Sequence, residues 1–293
     1  QTQFRIAIDA TSRVYGQQPA SDQAVYPVTI SGATLNQPRW TPADFVSSNT
    51  ADAVGTYAVN LSAAGWKKLQ AANPNYVVTP ALGTVKPGVL NIKPLPLKNA
   101  NLGAIQIGNQ TKVYDGKTDD PTAYQVTLPS QLTAPVWTAG DFERQNTSEM
   151  AGSYAVTLSQ LGLAALQAAN PNYVISAADI TPGHLLITKA PVTITAPSGL
   201  SKVADGKPYS GSAAGEVTGK PVSGDQVVYQ LNYGDNGNVG THLISVIADP
   251  KLNPNYEIKT VAKSYQILAR PVIVTPSEPA EPAQNQLLDD QQH

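Results

Sequence analysis

The chain has 293 residues, a formal net charge of −2 and only 14% charged residues. That balance argues against nucleic acid, which selects basic surfaces, and no run of about 20 apolar residues is present to span a membrane as a helix. Cysteine is absent, which excludes disulfides, iron–sulfur clusters and thiolate zinc sites, so each folding unit must close a hydrophobic core without staples.

The opening Gln-Thr-Gln-Phe-Arg-Ile lacks the layout of a signal peptide and reads as the interior of a longer protein. Phe4-Arg-Ile-Ala-Ile8 alternates large apolar residues with others, the period of a half-buried strand. In Arg13-Val-Tyr-Gly16, the glycine can take the positive φ of a tight turn. Ala24-Val-Tyr-Pro-Val-Thr-Ile30 reads as a second strand, with Pro27 placing it on an edge or at a bulge. After Trp40-Thr-Pro-Ala-Asp-Phe45 and a polar loop, Thr56–Leu61 is a strand with Tyr57, Val59 and Leu61 on one face. The period then changes. Ser62 is a good helix N-cap, Trp66 and Leu69 share a helical face, and Asn73-Pro74 can end a helix through a left-handed residue followed by a proline. The spacing predicts a helix over 62–73. Gly65 inside it costs about 1 kcal/mol relative to Ala, which a close helix–sheet approach would justify. Tyr76-Val-Val and Val89-Leu-Asn-Ile92 supply closing strands.

The stretch Gly55–Tyr76 then recurs without a gap as Gly152–Tyr173. An internal period of this kind marks an array of similar modules. Ser159, Leu163, Leu166, Asn170 and Pro171 repeat the helix signals, predicting a helix over 159–170. The first junction, Lys93-Pro-Leu-Pro-Leu-Lys-Asn-Ala-Asn101, is stiffened by prolines. The second, Ile187-Thr-Lys-Ala-Pro-Val-Thr-Ile194, passes directly from one module's last strand into the next module's first. A trimmed third copy runs from Gly240 to Tyr256 and is more than one helical turn shorter, so its helix should be reduced or absent. There, Val227–Leu231 and Val239–Ile247 flank Asp235-Asn-Gly-Asn238, a hairpin signal. Ala269–Thr275 looks like the first strand of a further module, and the Pro/Glu/Gln-rich end from Pro276 reads as disordered. The predicted organisation is three modules at 1–98, 99–189 and 190–270, then 271–293 as the start of the next repeat and a tail. The expected fold class is mostly β with short helices (α+β): three tandem β-grasp-like modules in an elongated, monomeric rod. Immunoglobulin-like sandwiches are the alternative.

Little in the sequence points to chemistry. Asp44, Asp141 and Asp225 recur, each in a turn where a carboxylate bonds its own backbone, so they are poor candidates for acid–base work. His184, His242 and His293 occupy non-equivalent positions and suggest no metal site. No Gly-x-Ser-x-Gly elbow is present. Asp115, Asp119-Asp120, Asp205 and Asp235–Asn238 could offer oxygen to a surface calcium, but their spacing does not match a twelve-residue calcium loop, and turn chemistry explains them more simply. No cofactor is predicted. Trp40 and Trp137 stand at equivalent places before Asp-Phe and are the best candidates for stacking on a sugar; the competing expectation is that they fold back beside Phe45 and Phe142. Trp66, with leucine at the matching Leu163, reads as a buried apolar position. Tyr57, Tyr76, Tyr154, Tyr173 and Tyr256 read as core residues, and Lys67-Lys68 as the wet face of the first helix.

Tyr15-Gly16, Tyr114-Asp-Gly116, the Gly-Asp turn, the Gly-Thr/Ser-Tyr strand, the Asn-Tyr before the closing strands and Ile187–Ile194 together resemble MBG repeats. Such repeats occur in tandem in wall-anchored surface adhesins of bacteria, notably lactobacilli. The resemblance covers about residues 4–275; the helical insertion and Ala204 in place of a tyrosine depart from the plainest repeats. It implies an extracellular, cell-wall-anchored protein that attaches to a host partner such as mucin or another glycoprotein, without enzymatic activity. A passive stalk that projects a distal binding domain is the rival expectation.

Overall fold

The computed structural model describes residues 3–17, 25–48, 52–117, 123–234 and 237–277. The chain divides into two compact units, Gln1–Thr188 and Lys189–His293. The first holds two copies of one arrangement, the second holds one.

In the first copy the strands are β1 (Phe4–Ile8), β2 (Thr11–Val14), β3 (Val28–Ser31), β4 (Phe45–Ser47), β5 (Gly55–Leu61), β6 (Gly83–Lys86) and β7 (Gly88–Lys93), with helix α1 (Ala63–Ala72). They form a three-stranded sheet β3-β1-β6 and a four-stranded sheet β2-β7-β5-β4. A two-residue strand in the junction, β8 (Leu95–Pro96), comes next. The second copy has β9 (Ile105–Ile107), β10 (Gln110–Val113), β11 (Val126–Thr127), β12 (Phe142–Arg144), β13 (Gly152–Leu158), α2 (Gln160–Ala169), β14 (Tyr173–Val174), β15 (Ile180–Thr181) and β16 (Gly183–Thr188). Its sheets, β11-β9-β15 and β10-β16-β13-β12, repeat the first copy strand for strand. The second unit has β17 (Ala190–Thr195), β18 (Ser201–Val203), β19 (Glu216–Thr218), β20 (Gln230–Asn232), β21 (Gly240–Ile247), β22 (Tyr256–Val261) and β23 (Lys263–Leu268). Its sheets, β19-β17-β22 and β18-β23-β21-β20, follow the same order.

Over the described residues the protein is therefore mostly β with two short α-helices, and the mixed β layer of each copy is realised as two small sheets. In every copy one pair in each sheet is parallel: β1 with β6 and β2 with β7 in the first, β9 with β15 and β10 with β16 in the second, β17 with β22 and β18 with β23 in the third. Parallel pairs at these places set the arrangement apart from the antiparallel sheets of an immunoglobulin-like sandwich. The core follows from alternation. β7 and β16 bury every second residue, and Ile6, Val59, Leu69, Leu90 and Ile92 of the first copy are almost wholly buried, as are Ile107, Val156, Leu166, Leu185 and Ile187 of the second. Leu69 and Leu166 bring the helices onto the strands.

Both helices begin where a hydroxyl can satisfy an orphan amide: Ser62 Oγ accepts from Gly65 N at 3.1 Å and Ser159 Oγ from Gly162 N at 3.2 Å. The glycines are there because a Cβ would collide with the carbonyl oxygen of Asp44 or Asp141. The close approach is to the short 3-10 turns Pro42–Asp44 and Ala139–Asp141, not to a flat sheet face. Gly16, Gly116 and Gly206 lie at φ of 75°, 69° and 74°, the turn conformation expected for Gly16. The third copy has turns where α1 and α2 stand.

Four local expectations change. Asn73 ends α1 at φ −134°, ψ 65°, outside the left-handed region, because its side chain has another task. The second strand begins only at Val28, with Pro27 just before it, although β3 does lie at the edge of its sheet as Pro27 implied; the Pro27 carbonyl accepts the Asp9 amide at 2.9 Å, and residue 24 lies outside the described residues. In the third copy Asn232 pairs with Ser245, so the segment between these strands is longer than a tight hairpin, and Gly240–Ile244 pairs with β23 instead. Arg270–Thr275 forms no strand, and residues 278–293 lie outside the described residues.

Candidate functional site

The asparagines that recur in all three copies are spent on the backbone. Asn73, Asn170 and Asn253 are buried, at 2%, 5% and 1% exposure. Each carboxamide grips one residue of a neighbouring loop by both its amide and its carbonyl. Asn73 holds Asn36 at 2.6 and 2.9 Å, Asn170 holds Thr133 at 2.7 and 2.9 Å, and Asn253 holds Val228 at 2.8 and 2.8 Å. Each also donates to a carbonyl four residues back: Leu69, Leu166 or Asp249. Gln70 and Gln167 bind the next loop in the same way, donating to Tyr76 O and Tyr173 O and accepting from Val78 N and Ile175 N.

Asp44 and Asp141 behave as the turn residues expected, whereas the Asp225 carboxylate departs from that reading by taking a distant tyrosine hydroxyl. Asp44 Oδ2 accepts the Thr41 amide at 2.7 Å and the Thr41 hydroxyl at 2.9 Å, and Asp141 does the same with Thr138. Their carbonyl oxygens accept the amides of Ser62 and Ser159. Asp225 accepts the hydroxyl of Tyr256 at 2.5 Å. Lys68 is not free on the wet face of α1: its Nζ lies 2.5 Å from buried Asp44, whereas Lys67 is exposed. Burial alone would raise the Asp44 carboxyl, but the Lys68 ammonium and the Thr41 donors outweigh it and hold it below the ordinary carboxylate range. In the second copy Ala165 stands in place of Lys68. That copy has its own ion network, which no spacing announced: Glu149 lies 2.9 Å from Arg144 and 3.8 Å from Lys112.

Among the described residues no three His, Asp or Glu side chains converge on a metal position. Asp115 and Asp205 accept the amides of Lys117 and Lys207 and face Lys112 and Lys202, so donors and cations already occupy them. Asp119-Asp120, Asp235 and His293 lie outside the described residues. The His242 ring contacts Asn238 O at 2.8 Å, and His184 lines a shallow cleft with Asn109, Gln110, Thr111 and Ser153.

Trp40 and Trp137 are both half-buried. Trp40 lies 5.8 Å from Phe45 and Trp137 5.7 Å from Phe142, in tilted pairs, and Trp40 Nε1 donates to Gln37 at 3.1 Å. The structure thus places them at equivalent positions in separate copies, each anchored on its own phenylalanine. Trp66 packs half-buried against the core. Tyr57 and Tyr154 are half-buried and bond Ala53 O and Met150 O, each at 2.6 Å, and Tyr256 is buried. Tyr76 departs from the core expectation: it is 48% exposed.

No helix among the described residues is long and apolar enough to cross a membrane. No curated protein is similar enough to match. A solved structure described as a cell surface adhesin from Lactobacillus reuteri is similar at 30% identity over 28% of this chain and 93% of that one, with a TM-score of 0.24. The family model described as MBG domain matches twice in tandem, over residues 3–94 and 102–189, more than half of the chain. With the same turns, strand order and buried asparagines in both matched segments, the chain belongs to the MBG-domain family.

Proposed function

We propose that the chain is the repeat region of a bacterial cell-surface adhesin, displayed outside the cell from the cell wall, that binds host mucus or glycoprotein through many weak contacts. The observation that carries this reading is the tandem MBG match on a chain whose recurring carboxylates and carboxamides are committed to bonds within its own fold. Copied modules suit weak, repeated attachment, because linkage raises avidity through effective concentration without a deep pocket. Trp40 and Trp137 are the ligand contacts on this reading: the exposed part of each indole offers a flat apolar face to sugar C–H groups.

The rival reading is a spacer that holds a distal binding domain away from the wall. Its support is the packing of the same tryptophans on Phe45 and Phe142, which gives both a structural role. The test is retention of the purified chain on immobilised mucin, with deglycosylated mucin as control. Adhesion predicts retention that falls in Trp40→Ala/Trp137→Ala at unchanged melting temperature. Retention no higher than a control protein leaves the spacer. A labelled glycan should not be turned over in either case.

A further inference from the structure

The Asn-Pro-Asn-Tyr segment occurs three times, and its tyrosine meets three surroundings. In the third copy Tyr256 is 4% exposed. The Asn255 carbonyl accepts the Ala190 amide at 2.9 Å, and Ala190-Pro191, at the head of β17, runs parallel beside Tyr256-Glu257. In the second copy Tyr173 is half-buried. The Asn172 carbonyl accepts the Leu95 amide at 3.0 Å, and Leu95-Pro96 runs parallel beside Tyr173-Val174. The first copy adds two more contacts there: the Val54 amide donates to Asn172 Oδ1 at 3.0 Å, and the Tyr15 ring stands edge-on to Tyr173 at 5.5 Å. Leu95 and Ala190 hold the same place, just past β7 and β16, and a proline follows each.

Among the described residues of the first copy nothing of the kind is present. Tyr76 is 48% and Val77 69% exposed, and among the described residues no strand runs beside Asn75–Val77. Yet the main chain is held as in the other copies. The Tyr76 amide donates to Asn73 O at 3.1 Å, as Tyr173 does to Asn170 O and Tyr256 to Asn253 O. Gln70 secures Tyr76 O and Val78 N as Gln167 secures Tyr173 O and Ile175 N. A cleft of about 610 Å³ lies alongside, lined by residues including Gln3, Phe4, Tyr76 and Leu82. Among the described residues the seat is formed and open.

We infer that Asn75–Val77 is the docking edge for the X-Pro end of a further repeat of the same kind, joined in tandem ahead of β1. The pairing is strand addition at an exposed edge, in which main-chain bonds give affinity and the tyrosine gives shape. Two paired residues are too few to hold a separate molecule, so the edge suits a neighbour whose linkage supplies the effective concentration. The inference does not rest on the adhesin reading.

The test is a chain in which residues 1–101 are duplicated directly in front of Gln3, which keeps the spacing found between Leu95-Pro96 and β9. Tyr76→Phe in the added copy alone leaves the original Tyr76 readable by tetranitromethane nitration and mass spectrometry. Nitration of Tyr76 should fall several-fold, to the level of Tyr173, and Leu95→Gly/Pro96→Gly in the added copy should restore it. Equal nitration with and without the added copy overturns the inference. So does protection of Tyr76 in the unextended chain that rises with concentration, which would assign the edge to a second molecule. Should the added copy fail to fold, Leu95→Gly/Pro96→Gly in the native chain should raise Tyr173 nitration several-fold; an unchanged Tyr173 overturns the inference equally. Nitration involves no mucin, so failure here leaves the adhesin reading where it stood.

Discussion

The second and third copies share one strand order, but where the second has α2 the third has only a turn. What both keep is the buried asparagine: Asn170 grips Thr133 and Asn253 grips Val228 with nearly identical bond lengths. The helix is therefore an addition to a two-sheet frame. The carboxamide that ties the loop after β13 or β21 back to the opposite loop belongs to the frame itself.

The largest effect should come from breaking that tie. Asn253→Ala and Asn170→Ala each remove three hydrogen bonds, and each should cost about 3 kcal/mol, read by urea denaturation. A loss for Asn170→Ala far below that for Asn253→Ala would show that α2 has taken over the role, and the comparison would fail. Next comes the fit of the helix. An exposed glycine inside a helix normally gains about 1 kcal/mol on changing to alanine. Gly162→Ala and Gly65→Ala should instead lose about 2 kcal/mol, because the new methyl group meets the Asp141 or Asp44 carbonyl and the turn must shift. Stabilisation by either change would mean that the turn can move away freely.

A smaller effect separates the first copy from the second. Tyr173→Ala should cost about 1 kcal/mol through its edge-to-face partner Tyr15, whereas Tyr76→Ala should be close to neutral in the same melting experiment. Equal costs would mean that the two edges are equally covered. The smallest effect is electrostatic. The Asp44 carboxyl is held below its ordinary value, so its contribution is present above the unfolded value near 3.9 and is lost as pH falls through the lower folded value. Lys68→Ala should raise that folded value and move acid unfolding of the first copy to higher pH. With Lys68 one-third exposed, the loss at neutral pH should be about 0.5 kcal/mol. An acid transition unmoved by the substitution would show that the Thr41 donors suffice.

Local features were readable where a single residue type has one physical use. Ser62 before an apolar period and Asn73-Pro74 after it can mark only the ends of a helix, and Gly65 inside it signalled a close approach, although not that Asp44 would be the neighbour. The turn role of Asp44 and Asp141 followed from where they stand in their loops. Partners far along the chain were not readable. The side chain of Asn73 reaches Asn36, which no local pattern links to it, and the left-handed conformation assigned to it from sequence gave way to that bond. Lys68 looks like any helix-face lysine until the 3-10 turn brings Asp44 beside it. Tyr76 and Tyr173 sit in the same letters, so the sequence could not say that one is covered by Leu95 and Tyr15 while the other stands open. Trp40 and Trp137 were visible as equivalent aromatic positions, and their geometry serves packing and stacking alike.

The parallel pairs have a mechanical consequence. β2 lies beside β7, β10 beside β16 and β18 beside β23, so a strand near the beginning of each copy and the strand that ends it point the same way as neighbours. Tension applied at the two ends of a copy drags such neighbours lengthwise in opposite senses. The rungs between them are sheared as a set and must rupture together, whereas antiparallel ends would peel apart one rung at a time.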